Sequence, residues 1–414
     1  MALTNCCRSC TILFMAIPKF VCSESRLLPR CATLRVLSSR MLSFDSQDKM
    51  SRDMSQRYLV KVEDAKHFVK ESMMAVGEKA SHAQGLADVL ILADQRGHYS
   101  HGLNRLEKYV LEQTKGQAIA ENEPFIERET VSTALVNGNN AMGCVVGNYA
   151  MGIAIAKAKE TGVGWVAANN SNHYGIAGMY SLQATEQGLI GFSFTNTSPF
   201  LVPTRSKERF FGTNPITCAA PSANPEDPFV LDMATTAVAQ GKVEVARRTE
   251  KDVPIGWGTD ASGASSTNAG EILDSGGLQP LGGPENTSGY KGSGLAMMVE
   301  VLCGILAGAS YAKNVRTWTE TDGFANLGQC FIALDPEVFA PGFKDRLSDL
   351  MKSYRDLQPA DGENEVLVAG DPERKAMEKV EENGGILYHP NFITYLDDLA
   401  EKCGVEKIRR TLHD

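Results

Sequence analysis

The period of the apolar positions changes along the chain. Between Val62 and Gly77 hydrophobic residues recur every three or four positions, which predicts an amphipathic helix stopped by Gly77. Ser81 is placed to cap a second helix running to about Arg96, and a third is expected over 103–114. The period then shortens to two. Residues 131–136 alternate like a strand and end at the Asn137–Gly138 turn signal. Helical spacing returns over 149–161 and stops at Gly162. Short apolar runs at 163–168, 189–195, 216–219 and 229–231 predict strands, and 238–248 and 294–306 predict helices. Gly, Ser and Asn crowd 261–288, the composition of a long surface loop. A strand over 330–334 and amphipathic helices around Arg346, Glu378 and Leu399 complete the pattern, with no internal repeat.

Composition changes this picture mainly at the N-terminus. The 414 residues are 43% hydrophobic with a formal net charge of −9, enough chain for a large core and more than one domain. The body has no basic or aromatic cluster, which argues against a nucleic-acid partner. An acidic chain that handles an anion must concentrate its positive charge locally. Residues 1–57 differ: no acid precedes Glu24, while Arg8, Lys19, Arg26, Arg30, Arg35 and Arg40 punctuate a Ser-, Cys- and Leu-rich stretch. This reads as a disordered targeting leader, with a mitochondrial address expected and a cytoplasmic location as the alternative. The apolar run from Ile12 to Ile17 is too short to cross a bilayer, so no membrane partner is expected. Five of the ten cysteines lie in the leader and five are scattered through the body without a CxxC pair, which predicts free thiols.

The expected phosphate-binding fingerprint is missing. The nearest match to G-x-G-x-x-G is Gly162–Val163–Gly164–Trp165–Val166–Ala167, but it follows a helix and opens a strand, so no phosphate could sit on a helix N-terminus there. A dinucleotide, if bound, is held without a Rossmann unit. Four other segments carry candidate chemistry. The first runs from Arg96 to Arg105 and includes His98, Ser100 and His101. A guanidinium beside an imidazole can grip a carboxylate while a proton moves, whereas His98 and His101 as metal ligands would lack further partners. The second is Asn169–Asn170–Ser171–Asn172–His173–Tyr174–Gly175, between a strand and a helix. The third joins Gly212–Thr213–Asn214–Pro215 to Leu231–Asp232–Met233 and Gly241–Lys242. The fourth, Ser288–Gly289–Tyr290–Lys291–Gly292, opens a helix with free N–H donors and a positive charge, features suited to a phosphate.

Taken together, in order, these segments resemble the malate/L-lactate dehydrogenase family that lacks a Rossmann fold, from about Tyr58 to the Gly370–Asp371–Pro372–Glu373 region. Further matches are Pro254–Ile255–Gly256–Trp257 and Val299–Glu300. The resemblance implies an α+β fold: a mixed-sheet domain beside a helical domain formed by both chain ends, assembled as a homodimer. It divides the chain into a helical part at 58–125, a cofactor-binding sheet domain at 126–285, and a C-terminal part at 286–414 packing on the N-terminal helices. It implies NAD or NADP along Asn172, Tyr174, Gly175, Thr197, Leu231, Asp232, Met233, the Gly282–Gly283 loop and Lys291. The substrate, a small 2-hydroxy or 2-keto acid such as malate or L-lactate, would meet Arg105 and Thr213. His173 or His101 would be the acid/base, with Ser100 and Lys242 completing the catalytic set and no metal. An imidazole in that role is expected to ionise at about pH 6–7. Imine-reducing relatives carry an acid where this chain has Lys242, and a lysine there favours a keto acid over a cyclic imino acid. A non-catalytic dimer that binds a nucleotide or small acid is the alternative outside enzymes. The chain departs from the family at Thr204–Arg205–Ser206 and in its leader.

Overall fold

The computed structural model describes residues 56–413 apart from Thr319 and Thr321. Residues 1–55 of the expected leader, with their expected disorder, lie outside the described residues, whereas its last residue, Arg57, opens a strand. The chain opens with strand β1 (Arg57–Val60), then helices α1 (Val62–Ala75), α2 (Ala80–Gln95) and α3 (Leu106–Thr114). Next come β2 (Phe125–Glu129), β3 (Thr133–Asn137), α4 (Gly143–Thr161), β4 (Val163–Ser171), α5 (Gly178–Glu186), β5 (Ile190–Thr195), β6 (Ile216–Ala220) and β7 (Phe229–Met233). The third stretch holds α6 (Gln240–Arg248), β8 (Gly258–Thr259), β9 (Ser265–Ser266), α7 (Ala269–Asp274), β10 (Gly277–Leu278), α8 (Gly289–Glu300) and β11 (Leu327–Leu334). Last are α9 (Phe343–Arg355), α10 (Asp371–Asn383), β12 (Ile386–Tyr388), α11 (Pro390–Cys403) and β13 (Thr411–His413).

Both chain ends build the helical part. Strand β1 pairs antiparallel with β12 on one side and β13 on the other. The i, i+3, i+4, i+8 stripe of α1, Ala65, Phe68, Val69 and Met73, is buried against α2 and α11 in one core with Leu86, Leu90, Ile393 and Leu396. The N-terminus of α2 departs from expectation. It starts at Ala80 after Lys79, with no side-chain cap, and Ser81 lies inside the helix.

The main sheet has seven strands in the order β2-β3-β4-β11-β5-β6-β7, with only β3 and β4 parallel. Strand β11 lies at its middle and pairs antiparallel with β4 and β5. The expected division at 285/286 therefore cuts through the sheet, because its central strand comes from the C-terminal part. Helix α4 ends as expected, with Gly162 in the left-handed region at φ 85°. Gly164 has a different task from phosphate binding. A Cβ there would lie 1.9 Å from the Ala154 carbonyl oxygen, so the glycine lets α4 close onto β4. The segment 261–288 is also a correction. It folds into β9, α7, β10 and a 3-10 turn, with Asn268 capping α7 by accepting from the N–H groups of Gly270 and Glu271. Its Ile272 and Leu278 bury against Val238 and Val243, which gives this polar stretch a small core of its own.

Candidate active site

The chain between α2 and α3 is drawn into two successive 3-10 turns, Tyr99–His101 and Leu103–Arg105. The bend is fixed from behind by Asp94, whose Oδ2 accepts from the Leu103 N–H at 3.0 Å and the Tyr388 hydroxyl at 2.6 Å. A Cβ on Gly102 would lie 1.7 Å from Asp94 Oδ1, so a glycine is needed at that contact. In front, Arg105 Nε donates to the Ser100 carbonyl at 2.6 Å, and Ser100 Oγ lies 2.8 Å from His101 Nδ1. No other partner of the Arg105 guanidinium is found among the described residues.

The end of β4 brings the second histidine to this turn. The His173 ring stacks over His101 with centroids 6.1 Å apart and planes 17° from parallel. His173 Nδ1 is 2.6 Å from the Tyr109 hydroxyl and accepts from the Gly175 N–H at 3.3 Å. That acceptor role assigns the ring proton to Nε2, and the Tyr109 hydroxyl can either donate or accept, so each tautomer has a partner. Trp318 also packs on His173, the ring centroids 4.5 Å apart. Burial, then Arg105 and His98, pushes His101 down to about 4. Burial, His101, Arg105 and Lys108 hold His173 well below the ordinary imidazole value. Both rings are neutral at neutral pH, so the ionisation expected at about pH 6–7 is displaced to lower pH in the free chain.

The structure separates the remaining candidates. Tyr174 is 1% exposed, stacks on Tyr180 and bonds Ser193 Oγ at 3.0 Å, so its side chain belongs to the core. Only its backbone can face a cofactor. Asn172 is buried; its Nδ2 donates to the Ala141 carbonyl at 2.9 Å while its Oδ1 has no partner among the described residues. Thr197 and Thr213 meet, the Thr213 N–H donating to Thr197 Oγ1 at 2.9 Å. Strand β7 carries Leu231, Asp232 and Met233 half-buried at the sheet edge, where Asp232 accepts from Gly178 N–H at 2.9 Å and burial raises its pKa. Gly282 and Gly283 take φ of 95° and 73° in a turn against the start of α8. A Cβ on Gly289 would lie 1.7 Å from the Gly283 carbonyl oxygen, and Lys291 is exposed on the first turn of α8. Lys242 is exposed on α6, next to Gly241, at which a Cβ would meet Ser100 Cβ at 3.1 Å. A cleft of about 610 Å³ opens there, lined by Tyr99, Ser100, Lys242 and Trp257. Among the described residues no three His, Cys, Asp or Glu side chains converge as metal ligands, and the five body cysteines are free.

Four contributors carry no role that the sequence alone reveals. Tyr109 stands four residues after Arg105, the spacing that puts both on one helix face. Asp94 and Trp318 act through contacts nine and more than a hundred residues away, which no local pattern reports. Arg96 opens the first motif and is buried, with Nε and Nη2 unpartnered among the described residues, near Asp232 and Glu373.

A family model of malate/L-lactate dehydrogenases matches residues 60–397. The chain belongs to this family. It is 39% identical to the malate dehydrogenase of Pyrococcus horikoshii over 342 residues, which is 82% of this chain and 94% of that protein. It is 34% identical to the L-sulfolactate dehydrogenase of Methanocaldococcus jannaschii, over 84% of this chain and 98% of the relative. Among solved structures, malate dehydrogenase from Entamoeba histolytica superimposes with a TM-score of 0.80 at 31% identity, covering 85% of this chain and 99% of that one. This malate/L-lactate dehydrogenase family member is thus an oxidoreductase of the α+β, non-Rossmann class expected from its motifs.

Proposed function

We propose that this chain transfers a hydride between NAD or NADP and the alpha carbon of a small 2-hydroxy or 2-keto acid such as malate or L-lactate. The observation that carries the reading is the stacked pair of neutral imidazoles, His101 and His173, beside an Arg105 whose terminal nitrogens have no partner among the described residues and can take a carboxylate. The donor set fits a nicotinamide dinucleotide. Asn172 has a buried, unpartnered amide oxygen, and the Gly282–Gly283 turn packs against the glycine-opened end of α8, where Lys291 adds positive charge. Asn172, Gly175, Thr197, Asp232 and the Gly282–Gly283 turn would hold the cofactor, which when bound supplies or receives the hydride at its nicotinamide. Arg105 grips the substrate carboxylate through its two Nη atoms, while its Nε keeps the Ser100–His101 turn in place.

His173 handles the proton. Its Nε2–H can bond the oxygen on the substrate's alpha carbon, and Tyr109 holds Nδ1 in either tautomer. Burial depresses the imidazole most, and a bound carboxylate offsets the further share contributed by Arg105 and Lys108. His101, oriented by Ser100, is its partner across the stack. Lys242, which lines the same cleft as Ser100, adds positive charge, which favours an anionic keto acid over a cationic cyclic imine. Homodimer formation is supported by Tyr290, Met297, Val301 and Ile305, an exposed apolar stripe along α8 and its continuation. Leader composition supports a mitochondrial address.

The test is nicotinamide oxidation or reduction across a panel of 2-keto and 2-hydroxy acids, with Arg105→Ala alongside. Two charge-assisted bonds of about 1.5 kcal/mol or more each predict a loss of at least about a hundredfold in kcat/KM, and Arg105→Lys should not restore it. Nicotinamide affinity should stay near the wild-type value. Equal loss of cofactor binding and turnover would place Arg105 on the cofactor instead.

A further inference from the structure

We infer that Lys108, held under Trp318, forms a second anion subsite beside Arg105, so that the preferred substrate carries two acidic groups rather than one. The inference rests on the hydride-transfer reading above and names its substrate class. Arg105, which caps α3, is followed by Lys108 and Glu112 at i+3 and i+7, along one side of the helix. Lys108 Nζ lies 5.3 Å from the centroid of the Trp318 ring, and that ring is 4.5 Å from His173. Lysine, indole and imidazole thus form one continuous wall next to Arg105. The indole holds the ammonium by its face and limits where the flexible lysine stem can go.

Charge bookkeeping then distinguishes the ligand. Glu112 is a buried acid on this face, and it is shared: Arg316 Nη2 lies 2.9 Å from its Oε1 and Lys108 Nζ 3.4 Å. One carboxylate cannot neutralise both cations and Arg105 as well. The other acids nearby are turned away. Glu107 is taken by Tyr395 at 3.0 Å and Lys402 at 2.8 Å, and Asp94 by Leu103 and Tyr388 behind the turn. The two histidines are neutral and offset nothing. Arg105, Lys108 and Arg316 thus share one buried acid, a local excess of positive charge in a chain whose net charge is −9, and the acid of the Arg316 segment, Glu320, is exposed. The Lys108 side chain is only 14% exposed, so water does little to screen its share. Burial depresses its pKa, and Arg316 and Lys115 add to that.

A monocarboxylate on Arg105 would leave Lys108 uncompensated. A dicarboxylate or sulfo-carboxylate would satisfy both. Neighbouring positions on a helix face are about 5–6 Å apart at Cβ, a spacing within reach of two acidic groups on a short carbon skeleton. Glu112 and Arg316 complete the subsite by fixing the lysine from behind. Arg316 belongs to the same short segment as Trp318, and its carbonyl accepts from Ser198 Oγ at 2.8 Å, which ties that segment to the main sheet side of the site.

The experiment compares oxaloacetate with pyruvate as the oxidised substrate, and malate with L-lactate as the reduced one, for wild type, Lys108→Met and Lys108→Arg. Methionine keeps an unbranched apolar stem against Trp318 and removes only the charge. Wild type should prefer the diacid in both directions. Lys108→Met should lower kcat/KM for the diacid by about ten- to a hundredfold, mainly through KM, leave the monoacid within about threefold, and leave nicotinamide binding unchanged. Lys108→Arg should keep the preference. A wild type that uses pyruvate as well as oxaloacetate overturns the inference without any variant. So does a Lys108→Met variant that loses both acids alike, because the lysine would then act only through Glu112. Failure of wild type to bind either nicotinamide or to turn over any acid would instead overturn the hydride-transfer reading on which the subsite depends.

Discussion

Replacing Asp94 by asparagine should make stability less dependent on pH. The carboxyl is 1% exposed, and burial raises its pKa to about 7 despite the bonds from Tyr388 and the Leu103 N–H. In the unfolded chain the same group titrates at about 3.9. The folded value is the higher one, so the folded state favours the protonated form. Stability from this group is complete below about pH 4 and is lost as pH rises through about 7. Linkage between those two values gives a cost of about 1.5 kcal/mol at pH 5 and about 4 kcal/mol at pH 8. An amide oxygen at the Oδ2 position can still accept from both Leu103 and Tyr388, without a charge to bury. Asp94→Asn should therefore gain on wild type by about 2.5 kcal/mol between pH 5 and pH 8, read from denaturant unfolding at each pH. Asp94→Ala should be destabilised at every pH, since it leaves two buried donors unpaired at about 1–3 kcal/mol each. A gap between Asp94→Asn and wild type that stays constant over the range would refute the reasoning, because it would show that the carboxyl does not change charge inside the fold.

Two further outcomes follow from other contacts. Tyr109→Phe removes the 2.6 Å partner of His173 Nδ1, so kcat should fall by about ten- to a hundredfold with KM little changed, and the pH–rate profile should shift as the tautomers lose their common partner; an unchanged profile would remove Tyr109 from the proton chemistry. Deleting residues 1–55 should leave an active enzyme, whereas deletion through 61 removes β1 and should abolish folding of the small sheet, as judged by soluble yield and circular dichroism; activity in the longer deletion would show that β1 is dispensable.

Much of the fold was legible where the cause is local. The stripe on α1, the glycine stop after α4, the alternating strand β3 and the short apolar run of β5 are written in neighbouring residues. The motifs also named the turn and loop that meet at the site, His101 with Arg105 and Asn172 with His173. Partner choice across long separations was not legible. Nothing in Leu327–Leu334 says that this strand lies between β4 and β5. The run 261–288 looks like loop because its strands are two residues long and its core is shared with α6. The motif around Tyr174 points to the cofactor, yet alternation along the chain turns its ring into the core while His173 faces the site. Tyr109 and Lys108 looked like ordinary helix positions, and only the arrival of β4 and Trp318 gives them a task.

The position of β11 also sets the order in which a growing chain can become whole. As the polypeptide leaves the ribosome, β2 to β4 and then β5 to β7 emerge as two separate blocks, each with a bare inner edge. Those edges wait for more than ninety residues of further synthesis, from Met233 to Leu327, before the strand that joins them is made. Until then each block offers unpaired backbone to any other nascent copy. Translation speed and chaperone cover over that interval would govern the yield of native protein, and a stop codon placed just before residue 327 would release a product with no centre to its sheet.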